Sequence, residues 1–169
     1  MKNVGDAVDR IIAQWADVRP DLDISAVEVI GRVSRLSRLI DRRLKDNFAR
    51  HGIENWMYDV LATLRRNGPP YELSPGDLVG QTMVTTGAIT NRIDRLEERG
   101  LVERTHSQVD RRMVTVGLTA AGLHLVDEAA ETHLTTEHGL LSSLDAAERQ
   151  ALARSLRKLL IDLGDTPES

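Results

Sequence analysis

TTGAITNRIDRLEERGLVER, Thr85 to Arg104, opens with small side chains, continues as a helical pattern, stops at a glycine and resumes as a strand. At roughly 100° per residue, Ile89, Ile93 and Leu96 fall on one narrow stripe that has to be buried. Thr90, Asn91, Asp94 and Arg95 look away from it, and Gly87 shares the outward side with Asn91 near the helix start. A helix that enters a groove needs low relief and hydrogen-bonding tips at that place. Arg92 stands at the rim, about 65° from the centre of the apolar stripe, neither core nor clearly outward.

The flanks of this stretch define a module. Upstream, Ser74 reads as an N-cap, Pro75 takes the first helical position and Asp77 the capping-box position, three local signals for a helix start. Only QTMVT separates that short helix from the next, which makes a helix-turn-helix. Downstream, Gly100 closes the second helix as a C-cap. LVERT and MVTVGL then alternate at period two around a polar tip, HSQVDRR, and form a hairpin wing.

The remainder of the chain is helical. Val4, Val8, Ile11, Ile12, Trp15 and Val18 recur at helical spacing up to Pro20. A second helix is expected to start at Ser25 as N-cap, with Glu28 three residues on, and to stop at His51-Gly52. Trp56, Met57, Val60, Leu61 and Leu64 make a third helix, ended by NGPP. Two more amphipathic helices follow Leu118, the last with a seam of Leu152, Leu156, Leu159 and Leu163. The fold class is therefore mainly α, a winged helix-turn-helix with a small antiparallel β wing and a helical dimerisation region built from both termini. The expected division is 1–50 for the N-terminal helices, 51–118 for the DNA-binding domain, 119–164 for the C-terminal dimerisation helices and 165–169 for a tail.

Composition removes several function classes. The 169 residues contain no cysteine, so disulfides, thiol catalysis and thiolate metal sites are absent. No serine sits in a nucleophile elbow and no glycine loop is built to cradle phosphate. His133 and His138 are five apart, which swings them roughly 140° from one another on a helix, unsuited to a shared metal. Neither an enzyme nor a cofactor is expected. No run of 18 apolar residues occurs, and Asp6 and Asp9 interrupt the start, so a cytoplasmic protein without a membrane partner is expected. A net charge of -4 does not decide against nucleic acid, because phosphate binding needs only a local basic surface.

That surface is available. Thr85, Thr86, Gly87, Thr90, Asn91 and Arg95 offer hydroxyl, amide and guanidinium tips at and after a helix N-terminus, and Arg111 and Arg112 lie at the hairpin tip. These are the expected contacts to double-stranded DNA.

The pattern NRIDRLEERGLVER, followed by DRR and LTAAG, resembles the MarR family of winged-helix transcriptional regulators from about Ile24 into the last helix. The resemblance implies a homodimer held by its terminal helices, each recognition helix in a major groove of a pseudo-palindromic operator. The extra first helix, IIAQWADVRPDLD, together with DVLATLRRNGPPY, is similar to the PecS-like, urate-responsive subgroup. By that resemblance, a small anionic effector is bound by Trp15, Asp59, Arg92 and Arg104. From the residues alone, Trp15 reads as a core anchor, Asp59 as a solvated carboxylate about 130° from its helix's apolar centre, and Arg104 as an inward strand arginine needing a partner. Arg92 and Arg104 are expected to converge under the tryptophan. The implied function is a repressor of its own and a divergent gene, released by urate; a citrate-like or other aromatic acid is the alternative effector, and a helical interaction adaptor that does not bind DNA the alternative class.

Overall fold

The computed structural model describes residues 5–82, 86–106 and 114–166. Of the expected DNA contacts, Thr85, Arg111 and Arg112 lie outside the described residues. The elements run α1 (Ala7–Val18), α2 (Ser25–Arg50), α3 (Asn55–Arg66), β1 (Glu72–Leu73), α4 (Pro75–Thr82), α5 (Thr86–Glu98), β2 (Val102–His106), β3 (Val114–Leu118), α6 (Ala120–Leu140) and α7 (Ala146–Asp162).

Local chemistry accounts for most boundaries. Asp6 caps α1, accepting from the Val8 and Asp9 amides at 2.7 and 3.0 Å, while the Asp9 carboxylate accepts from the Asp6 amide at 2.6 Å. The pair that interrupts the apolar start of the chain is thus a capping box. Ser74 caps α4 as expected, its hydroxyl accepting from the Asp77 amide at 3.1 Å and donating to the Asp77 carboxylate at 2.6 Å. The start of α2 differs from expectation. Ser25 is the first helical residue, Ile24 holds the cap position without a side-chain bond, and Asp23 accepts from the Ser25 amide at 2.9 Å. A carboxylate two residues upstream thus bonds the first helical amide, where a serine cap would have bonded one further in.

The sheet has three strands in the order β1-β3-β2, all antiparallel, with Leu73 opposite Val116, Arg104 opposite Val116 and Val102 opposite Leu118. β1 therefore adds a third strand to the two expected of the wing. The core forms around α3: Met57, Val60, Leu61 and Leu64 meet Leu78 of α4, Ile89, Ile93 and Leu96 of α5, Val102 and Val116 of the sheet and Val126 of α6. It is aliphatic except for Phe48, the one phenylalanine of the chain.

One junction locks sheet, α5 and α6 together. Gly100 has φ +67°, which turns the chain out of α5 at a conformation side chains rarely adopt. The Thr119 hydroxyl donates to the Gly100 carbonyl at 2.7 Å and accepts from the Gly122 amide at 3.0 Å, so it caps α6 while holding the turn. Gly122 lies so close to this turn that a Cβ there would stand 1.9 Å from the Leu101 carbonyl oxygen.

The terminal helices are different. Val8 is the buried residue of α1, and α7 has none. Trp15 is 44% exposed, so in a single chain it is not the core anchor its helix pattern suggests. Residues 19–24 turn the chain back, so that α1 lies along the first half of α2 with Val8 against Gly31, and Arg32 bridges Asp6 and Asp9 at 2.8 and 2.6 Å.

Candidate functional site

The helix-turn-helix presents the outward surface expected of it. With Ile89, Ile93 and Leu96 buried, Gly87, Thr90 and Asn91 are turned to solvent on the other side of α5, and Thr86 begins the helix. A Cβ added at Gly87 would meet no atom within 4 Å, so the glycine fills no packing role and leaves room above the first turn.

The arginines of α5 form a second face. Arg92, Arg95 and Arg99 are spaced three and four apart, within about 60° of one another round the helix. Each is held by the start of α3 or the turn before it. Arg99 donates to the Gly52 carbonyl at 3.1 Å, Arg95 pairs with Glu54 at 3.2 Å, and Arg92 approaches Asp59 at 3.8 Å. The indole of Trp56 stands between the last two, 4.7 Å from the Arg95 guanidinium carbon and 5.8 Å from that of Arg92. Arg95 was expected on the outward side. Its backbone is there, about 127° from the apolar stripe by helix arithmetic, and its long side chain reaches back to a carboxylate and an aromatic face on the flank of α5.

Asp59 and Arg92 make a loose pair. At 3.8 Å they are outside hydrogen-bond distance, and the side chains remain 44% and 25% exposed. Burial raises the Asp59 carboxyl above the ordinary value, against the opposing pull of Arg92 and Arg66. Arg104 is held far more firmly. Its guanidinium bonds to both Asp94 and Glu97, and its amide donates to Glu97 at 3.1 Å. Desolvation works against its charge, but the two carboxylates outweigh it and the guanidinium pKa is raised.

The expected convergence of Arg92 and Arg104 under Trp15 is therefore not what one chain contains. Arg92 faces α3, Arg104 is taken by two carboxylates of α5, and the tryptophan at Arg92 is Trp56. The reason for the displacement of Trp15 is the lie of α1. From Gly31, where Val8 packs, to Phe48, whose ring stacks on Tyr58 of α3 at 4.4 Å, α2 runs about 25 Å at 1.5 Å per residue. Trp15 lies beyond Val8, further from that junction. The residue missed by the sequence reading, Trp56, had a signal: it is three residues before Asp59 and about 60° from it round α3.

A family model described as the MarR family matches residues 51–113. Over 152 residues, 90% of this chain and 92% of the relative, the sequence is 39% identical to the HTH-type transcriptional regulator PecS of Dickeya dadantii (strain 3937). The chain belongs to the MarR family. Two solved structures superpose well on it. A mutant MarR of E. coli complexed with operator DNA does so with a TM-score of 0.69 and 26% identity, over 86% of this chain and 97% of that one. BpsR of Bordetella bronchiseptica, whose DNA binding is regulated by 6-hydroxynicotinic acid, does so with a TM-score of 0.67 and 27% identity, over 78% and 91%. As a MarR-family protein the chain is a DNA-binding transcriptional regulator, ligand-responsive by family and not an enzyme. Among the described residues, no helix is long and apolar enough to cross a membrane.

Proposed function

We propose that this MarR-family regulator is a homodimeric repressor of its own and a divergent gene, released from a pseudo-palindromic operator by urate or a similar small anion. The observation that carries the reading is the loose Arg92–Asp59 pair on the back of the recognition helix, at 3.8 Å. In the free protein the attraction holds α5 against α3. A flat anion takes the Arg92 guanidinium through paired N–H donors and is repelled by Asp59, so α5 moves off its half-site spacing. The ligand shifts this equilibrium only by its difference in affinity between the two poses. DNA weakens ligand binding by the same factor.

Gly87, Thr90 and Asn91 are assigned to the major groove with Thr85 and Thr86, Arg95 to a phosphate or base edge, and Arg111 and Arg112 to the wing contact. Trp15 reaches the Arg92 side of a DNA-binding lobe only from a second copy, because its own α1 lies at the opposite end of α2. Arg104 joins the anion only by exchanging Asp94 or Glu97 for it.

The test is a fluorescence anisotropy titration on DNA upstream of the protein's own gene, at fixed moderate salt, with parallel arms of urate, citrate and 6-hydroxynicotinate. Release by urate, blunted by Arg92→Ala and by Trp15→Ala in proteins of unchanged helicity, supports the reading. Full response to urate in Trp15→Ala removes Trp15 from the site. Mixed dimers decide the geometry: one Trp15→Ala chain paired with one Arg92→Ala chain retains one complete site if the tryptophan comes from the second copy, and none if it does not. Release by 6-hydroxynicotinate alone moves the effector to a heteroaromatic acid, a reading favoured by the likeness to BpsR.

A further inference from the structure

Trp56 has no place in the ligand and DNA assignments above, yet its ring is approached by both Arg92 and Arg95 of α5. It occupies the second position of α3 and is partly buried. Glu54, at the N-cap of α3, makes no side-chain capping bond; its carboxylate goes to Arg95 instead. Arg92 has a carboxylate of its own in Asp59. Among the described residues the two guanidiniums thus pair with different carboxylates, and what they have in common is the indole, 4.7 Å from the Arg95 guanidinium carbon and 5.8 Å from that of Arg92.

An indole ring is a limited region of negative potential, and a guanidinium within about 6 Å of its centroid is attracted to it. Two cations three residues apart on one helix compete for that region. If Arg92 is drawn away, the ring is left to Arg95, which settles further toward α3 and away from the outward side where a phosphate meets it.

We infer that Trp56 is a positioning residue, the group through which the state of Arg92 on the inner flank of α5 sets the state of Arg95 on the DNA side. The inference deepens the ligand reading above, in which Arg92 is the group an effector takes, and it requires side-chain movement alone.

The experiment is a double-mutant cycle in operator affinity without any effector. Arg92→Gln and Arg95→Gln are measured singly and together in the otherwise native chain, then in Trp56→Leu and Trp56→Phe backgrounds. With Trp56 present the two substitutions depart from additivity by about three- to tenfold, the range that ring contacts of this kind supply. After Trp56→Leu they are additive within about twofold, and Trp56→Phe recovers part of the coupling. The same coupling in the Trp56→Leu background, or additivity in every background, overturns the inference. Should Trp56→Leu fail to fold, fluorescence decides. The chain has two tryptophans, so in a Trp15→Phe background the indole emission reports Trp56. That emission shifts on Arg92→Gln, and shifts again when Arg95→Gln is added; an emission blind to Arg92→Gln sinks the relay. A native protein indifferent to every acid tested removes the ligand reading alone, since the cycle contains no ligand. A flat cycle beside normal release by urate removes the relay alone.

Discussion

Two charged centres flank the recognition helix, and they differ in kind. Asp59 pays for its partial burial with a raised carboxyl pKa that Arg92 and Arg66 do not cancel. A raised value means the native state holds this proton more tightly than the unfolded chain does. The associated stability is complete below the ordinary aspartate value of 3.8 and is lost as pH rises through the higher native value. At neutral pH the ionised Asp59 is thus a small liability. Asp59→Asn is expected to raise Tm at pH 7 and to lose that advantage below the ordinary aspartate range, while its ligand response collapses; thermal melts across pH check the first part. Arg104 is the opposite case, a cation between two carboxylates. Arg104→Ala leaves Asp94 and Glu97 as neighbouring like charges and unfastens β2 from α5. The expected loss is about 1 kcal/mol, small because the group is partly exposed, and a urea denaturation curve reads it.

At one junction the elements are joined by close backbone approach as well as by the side-chain core. At the α5–β2 turn, Gly100 supplies the positive φ, Thr119 bonds to its carbonyl, and Gly122 lets the first turn of α6 sit on Leu101. Gly122→Ala drives a Cβ to 1.9 Å from the Leu101 carbonyl oxygen, a backbone atom that cannot rotate away. The expected penalty exceeds about 3 kcal/mol, and circular dichroism should show a chain that is unfolded or melts far earlier. Gly87 is the contrasting helix glycine, with open space where a Cβ would go. Gly87→Ala is expected to leave stability equal or higher by a few tenths of a kcal/mol and to weaken operator binding several-fold, since the methyl group enters the face assigned to DNA. Equal operator affinity in that variant would put the groove contact elsewhere on α5.

Among the described residues a closed core contrasts with an open apolar seam. The core around α3 is complete within a chain, whereas Val29, Val33 and Leu36 of α2 and Leu152 and Leu159 of α7 are exposed. Between α2 and α7 lies a cavity of about 530 Å³ lined by Val29, Val33, Leu36, Ile40, Leu152 and Leu156. An apolar seam of this extent suits a second copy, as the homodimer proposed above requires. Leu36→Glu is expected to yield monomers by size-exclusion chromatography with light scattering, to leave the helical content of the DNA-binding core intact, and to lower operator affinity at least about tenfold as paired half-site binding is lost. A dimer of unchanged stability in that variant would place the interface off this seam.

Helix period, capping residues, the Gly100 turn and the wing strands were legible in the chain because each is settled within a few residues, by φ/ψ preference and by bonds between near neighbours. The buried stripe of α5 and its outward small side chains were legible for the same reason. The start of α2 shows the limit of such signals, since Ser25 enters the helix as its first residue, with its amide bonded to Asp23, instead of capping it. Contacts between elements followed other rules. Nothing in the spacing of Arg95 says that it turns back to Glu54 and Trp56, or that Arg104 is consumed by Asp94 and Glu97, because a long flexible cation goes to whichever carboxylate the packing brings within reach. Trp15 and Arg92 are far apart in one chain because α1 folds back along the first half of α2, a placement fixed by Val8 on Gly31 and by Arg32 between two aspartates. Local conformation is set by short-range sterics and hydrogen bonds that sequence encodes residue by residue; which charges meet is set by the docking of whole helices, and that is a property of the folded molecule.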